Sequence, residues 1–182
     1  MVRATDIERG YIICSHTGCG QTNALTPTIE YDARLAIDLP GHGHLTYLAD
    51  PAVVLPLRFG DNVLGTSDSC HPRLPRYLHN GRCYISRRHC TLTVAFDQWT
   101  GTLRYQLRDG ATDPIERVPK ASLNGTLLNG VPLRPTELID IGPTDRISLG
   151  GADTFQLTPA AIDPFVRETY RITHDFNADL TQ

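Results

Sequence analysis

Near the middle of the chain, Tyr84-Ile85-Ser86-Arg87-Arg88-His89-Cys90 places a hydroxyl, two guanidinium groups and an imidazole in consecutive positions. Arginine forks and hydroxyls are the groups that hold a phosphate or a carboxylate, because they aim several hydrogen bonds at one anion. Further on, Ser122-Leu123-Asn124-Gly125-Thr126 forms a polar turn that could face this run. Taken alone, Ser-Arg-Arg-His would suit a solvated basic loop equally well. Its meaning depends on the elements that carry it.

Ser86 and His89 also raise the question of a nucleophile and its base. Such a pair needs hydroxyl and imidazole within hydrogen-bond reach and a third group orienting the ring. Residues three apart on an extended strand point to opposite faces. The chain has no Gly-x-Ser-x-Gly elbow, no phosphate-cradling glycine loop ahead of a helix and no distinctive carboxylate pair. The expectation is a binding protein, not an enzyme.

A chain of 182 residues suits one domain with appendages. Seventeen Lys and Arg against twenty Asp and Glu leave a net charge of −3. That balance argues against a nucleic-acid or membrane binder with a broad basic surface, so any anion site must be a local basic cluster. Met1-Val2-Arg3-Ala4-Thr5-Asp6 leads into no apolar signal core, and no run reaches the length of a membrane span. Five cysteines without a secretory signal are expected as reduced thiols or metal ligands, in a cytoplasmic protein.

Residues 1–43 read as an N-terminal extension. Cys14-Ser15-His16-Thr17-Gly18-Cys19-Gly20 is similar to one knuckle of a zinc ribbon. A structural zinc takes four Cys or His ligands. Cys14 and Cys19 are the best two, with His16, His42 and His44 as candidates for the others. A polar loop with two incidental thiols is the alternative.

From His44 to residue 158 the pattern is that of strands. Leu45 and Tyr47 alternate, Val53-Val54-Leu55 and Leu57 follow, and Gly60-Asp61-Asn62 reads as a turn before Val63-Leu64. Residues 67–82 make a long connection rich in Pro, His and Arg, which in a compact domain is expected to be functional or mobile. Leu92, Val94 and Phe96 then alternate with Thr91 and Thr93, and Leu103, Tyr105 and Leu107 with Arg104, Gln106 and Arg108. Asp109 to Lys120 reads as a polar loop. Asn129-Gly130 closes a tight hairpin, and two further strands cover Arg146–Leu149 and Thr154–Leu157. Short strands at this spacing with little helical period predict an all-β sandwich. Residues 159–182 read as a C-terminal tail, packed partly or not at all.

Over about residues 44–158 the chain resembles a forkhead-associated (FHA) domain, a phosphothreonine-peptide reader built as an eleven-stranded β-sandwich. The resemblance is carried by Leu64-Gly65, Ser86-Arg87-Arg88-His89, Ser122-Leu123-Asn124-Gly125-Thr126, Asn129-Gly130, and Ile141-Gly142 through Arg146-Ile147-Ser148-Leu149-Gly150, in that order. It implies that Ser86 bonds phosphate through its hydroxyl and its amide, that Arg87 lies over the phosphate with Arg88 beside it, and that Asn124 holds the peptide backbone. Gly65, His89 and Gly125 would be scaffold, His89 pointing inward to tie the two loops together.

Two phosphate-contact positions depart from the family pattern. Thr66 stands where an arginine is usual, and Leu123 where a polar or basic residue is common. Arg87, Arg88 or an arginine of the long loop (Arg73, Arg76, Arg82) could compensate. The function implied is a phosphothreonine-dependent adaptor in protein–protein interaction or signalling, with no cofactor beyond the zinc. The alternative is a degenerate domain acting as a phosphorylation-independent assembly module. Thr169, Thr173 and Thr181 in the tail would also permit self-association through the same site.

Overall fold

Side-chain alternation decides the architecture. The computed structural model describes the backbone of residues 11–13 and 22–24, residue 39, and residues 41–135 and 137–171. The chain divides into two units, Met1–Asp38 and Leu39–Gln182. In the first, β1 (Tyr11–Ile13) and β2 (Thr22–Ala24) pair antiparallel.

The second unit is an antiparallel sandwich. One sheet is built from β3 (His44–Tyr47), β4 (Val54–Pro56), β10 (Thr126–Leu128), β11 (Val131–Pro132), β13 (Arg146–Leu149) and β14 (Asp153–Thr158), in the order β11-β10-β13-β14-β3-β4. The other holds β5 (Gly60–Leu64), β6 (Cys90–Asp97), β7 (Thr102–Asp109) and β12 (Ile139–Asp140), in the order β12-β7-β6-β5. A small ribbon of β8 (Ala111–Thr112) and β9 (Pro119–Lys120) projects beyond β7. Four of these twelve strands are only two residues long.

One hydrophobic core joins the sheets. Leu45, Ile147, Leu149, Phe155 and Leu157 from the first meet Leu64, Leu92, Val94, Tyr105 and Leu107 from the second, all buried. Each set follows the two-residue period expected of half-buried strands. Asn129 and Gly130 take φ of 53° and 83°, the left-handed pair that a two-residue hairpin requires.

Two expectations need correction, and a third gains detail. Gly60-Asp61-Asn62 is not a turn but the start of β5. The bend lies just before it, and the Asn62 side chain organises it: its oxygen accepts from the Arg58 amide at 2.8 Å and its nitrogen donates to the Arg58 carbonyl at 2.7 Å. Residues 109–120 are not an unstructured polar loop, since β8 and β9 pair within them. The start of the tail folds as α1 (Pro164–Tyr170), capped by Asp163, whose carboxylate accepts from Phe165 N at 2.7 Å. Val166 and Tyr170 are buried, with Tyr170 edge-on to Phe96. A seven-residue helix is too short to show its period in sequence.

The 67–82 connection is pinned along its length. Val63 and Gly65 form bridges to His71 and Arg73, and the Leu74 amide donates to Gly65 O at 2.8 Å. Leu74 itself joins the core, 1% exposed. Tyr77 stacks on Tyr47 at 4.4 Å, and His79 Nε2 lies 2.9 Å from the buried carboxylate of Asp153, which also accepts from Tyr47. No helix among the described residues is long and apolar enough to cross a membrane.

Candidate functional site

The 84–89 and 122–126 segments meet at one end of the sandwich through three hydrogen bonds. The Leu123 amide donates to Ser86 Oγ at 3.0 Å, Asn124 Nδ2 donates to Tyr84 O at 2.8 Å, and His89 Nε2 lies 3.0 Å from Gly125 O. The His89 ring is fully buried, and its Nδ1 accepts from the Ser86 amide at 2.9 Å. An amide can only donate, so Nδ1 is the bare nitrogen and Nε2 carries the hydrogen given to Gly125. One imidazole thus ties both segments together. Residues 86–89 bend instead of running extended. The ring folds back onto the Ser86 amide, not its hydroxyl, and both ring nitrogens are already engaged.

These contacts sort the expected site residues by what they leave free. The Ser86 hydroxyl accepts from Leu123 and keeps its own hydrogen to donate. The Ser86 amide, expected to reach the ligand, is instead committed to His89. Arg87 is exposed, and its guanidinium makes no hydrogen bond or ion pair with any described residue. Arg88, expected beside it, turns its guanidinium to Ser69 Oγ at 3.3 Å and Thr112 O at 3.2 Å. Asn124 keeps its side-chain oxygen free while its nitrogen holds Tyr84. Leu123, 89% exposed, offers an apolar surface. Ser86, Arg87, Arg88 and Leu123 line one cleft of about 580 Å³. Thr66 does not; it lines an adjoining hollow with Arg73, Arg76 and Arg87.

Gly65 sets the spacing between the Thr66 segment and the Ser86 segment. Thr66 N donates to Ser86 O and Ser67 N to Arg87 O, at 3.2 and 2.9 Å. A Cβ on Gly65 would overlap the Arg87 carbonyl oxygen and stand 2.7 Å from its carbon. Only glycine fits this approach.

Residues 62–150 match the family model of the FHA domain. The sandwich has the FHA-like fold. Among solved structures, the chain is similar to the MEK1 FHA domain in complex with a HOP1 phosphothreonine peptide. That match has 19% identity over 66% of this chain and 99% of that one, with a TM-score of 0.50. It is also similar to an FHA structure from a study of phosphothreonine-dependent interactions (21% identity, 66% and 99% covered, TM-score 0.47). The Slr1951 protein from Synechocystis matches at 18% identity, 66% and 98% covered, with a TM-score of 0.49. At these identities the likeness is one of fold. No curated protein matches the sequence.

Within the sandwich, Asp109 is the organiser that sequence reasoning missed. Its buried carboxylate accepts from Ser122 N, Ser122 Oγ and Thr126 Oγ1, at 3.1, 2.7 and 2.7 Å. The signal was present, since Asp109 continues the inward parity of Tyr105 and Leu107 along β7. Of the proposed zinc ligands, Cys14, Cys19 and His16 lie outside the described residues. His44 sits in β3 and His42 packs on Phe59. No group of three His, Cys, Asp or Glu among the described residues could hold a metal. Cys70, Cys83 and Cys90 are free thiols, and burial pushes those of Cys70 and Cys90 up.

The histidines make this fold sensitive to mild acid. Burial holds His89 below its ordinary value of 6.5, against opposing pulls from the Gly125 hydrogen bond and Asp109. Protonation would also turn an N–H toward the Ser86 amide. Burial, then Arg58, lowers His71 in the same direction. Below the ordinary value, the unfolded chain takes up protons that the folded chain refuses. Stability is therefore intact above about pH 6.5 and falls below it, by up to about 1.4 kcal/mol per pH unit for each group. The depressed carboxylates Asp97, Asp113 and Asp140 act only below their ordinary 3.8. The urea midpoint should thus be flat above neutrality and drop between about pH 6.5 and 5. A level midpoint through that window would contradict the neutral His89.

Proposed function

We propose that this FHA domain is a phosphothreonine-peptide-binding adaptor, a binding module and not a catalyst. The observation that carries it is the set of groups left free around one cleft. The Ser86 hydroxyl hydrogen and the unpaired Arg87 guanidinium line the cleft, and the Asn124 side-chain oxygen follows Leu123 beside it, on loops tied together through His89, Leu123 and Tyr84.

The chemistry follows from those groups. A phosphate dianion accepts from Ser86 Oγ and from the Arg87 fork. Arg88 adds charge from behind, because its partners Ser69 and Thr112 are neutral. Lys120 adds little, being paired with Asp113 at 3.0 Å and Glu116 at 2.9 Å. Asn124 accepts from a peptide backbone amide and so fixes the register of the chain that carries the phosphate. An acidic protein with this local basic cleft selects for anionic peptides, not for polyanions in general.

The test is a fluorescence-anisotropy titration with a degenerate phosphothreonine peptide library and its unphosphorylated counterpart. Binding should require the phosphate, and Ser86→Ala should weaken it about ten-fold or more, the loss of one charge-assisted hydrogen bond. The mutant should keep its fold, because the Leu123 amide it orphans is exposed and water replaces the hydroxyl. Equal binding of phosphorylated and unphosphorylated peptides would overturn this reading in favour of a phosphorylation-independent assembly module.

A further inference from the structure

The anchors on the 67–82 connection fix where its arginines stand. Arg73 lies opposite Gly65 by the backbone bridge, next to Thr66, and Leu74 beside it is locked in the core. Tyr77 and His79 hold the following stretch against Tyr47 and Asp153. Between these points Arg73 and Arg76 converge with Arg87 on a hollow of about 450 Å³ that Thr66 also lines.

Three guanidinium groups face this hollow and one carboxylate, Asp68, offsets them. Asp68 pairs with Arg73 at 2.7 Å, but both side chains are exposed, so solvent screens the pair. The Arg76 guanidinium, like that of Arg87, makes no hydrogen bond or ion pair with any described residue. Such a convergence of cations is repulsive until an anion enters it. The hollow is distinct from the cleft at Ser86, which does not line it, yet Ser67 and Arg87 line both.

We propose that the hollow of Thr66, Arg73, Arg76 and Arg87 is a second anion site, taking a phosphorylated or carboxylate side chain that neighbours the phosphothreonine on the same peptide. The proposal rests on the phosphothreonine reading of the Ser86 cleft. Because Arg87 borders both sites, the second anion belongs within about three residues of the first, at roughly 3.3 Å of extended chain per residue. The ligand class is therefore a multiply phosphorylated or acid-flanked peptide.

The experiment compares phosphothreonine peptides alone with the same peptides carrying Asp, Glu or phosphoserine at each nearby position. It uses the wild-type protein and the Arg73→Ala/Arg76→Ala double variant, whose altered side chains are exposed. A second anion at the right position should raise wild-type affinity about ten-fold. The double variant should lose that gain and bind the plain phosphothreonine peptide as before. A phosphoserine that exceeds Asp and Glu identifies phosphate as the source, and equal gains identify charge alone. No gain in the wild type, a gain that survives in the double variant, or an equal loss for all peptides would each overturn the second site. Should no phosphopeptide bind, the phosphothreonine reading fails separately, and titration with inorganic phosphate still decides this site. Saturable shifts of the Arg73 and Arg76 Nε–H resonances that persist in Ser86→Ala support it, and their absence overturns it.

Discussion

Replacing His89 by alanine is expected to cost about 3–5 kcal/mol of folding stability, a large share of the 5–15 kcal/mol typical of a domain. Two effects add. Removing a fully buried ring leaves a cavity beneath both recognition segments. It also strips the Ser86 amide of its acceptor and removes one of two donors to Gly125 O, the other being Gly150 N at 2.9 Å. His89→Gln, which can still offer one acceptor and one donor, should recover part of the loss. Urea unfolding measures both variants, with the midpoint moving and the slope held. A loss under about 1 kcal/mol for the alanine variant would mean that the ring neither supports the packing nor couples the two segments. Where the variant remains folded, its phosphopeptide affinity should still fall, because Ser86 and Asn124 are no longer held in one frame.

Gly65→Ala should be nearly as damaging, by about 2–3 kcal/mol. The new methyl meets backbone, not the end of a flexible side chain, so the Thr66 segment must move away from Arg87. That movement breaks the Thr66–Ser86 and Ser67–Arg87 hydrogen bonds and disturbs the Leu74 amide bond to Gly65 O. The same shift separates the hollow at Thr66 from the cleft at Ser86. Peptide affinity measured well below the melting transition should therefore drop more than the stability loss explains. If affinity follows the folded fraction alone, Gly65 serves packing and not site geometry.

The sandwich was legible because its long strands obey a strict alternation: Leu92 and Val94 on β6, Tyr105 and Leu107 on β7, Phe155 and Leu157 on β14. The two recognition segments were legible as unusual clusters of donors. What could not be read was how each polar group divides its bonds. Ser86 offers an amide and a hydroxyl, and only the fold assigns the first to His89 and the second to the cleft. Arg87 and Arg88 are indistinguishable in sequence, yet one faces solvent and the other reaches Ser69 and Thr112. Asn62 looked like a turn residue because its side chain shapes a bend while its backbone already lies in a strand. The helix α1 escaped notice because Asp163-Pro164 reads equally as a break or as a cap and first turn.

The bridges from the long connection to Val63 and Gly65 also bear on how a partner can approach. β5 is the outermost strand of its sheet, and an open outer strand is a template on which an extended peptide can add itself by backbone pairing. Here the chain's own residues 71–74 occupy part of that template. Backbone-driven strand addition, which is nearly blind to sequence, is obstructed there. A partner is left to engage the side chains at the loop end, where discrimination depends on charge and hydrogen-bond geometry. The long insertion thus acts as a guard against indiscriminate pairing as well as a source of arginines.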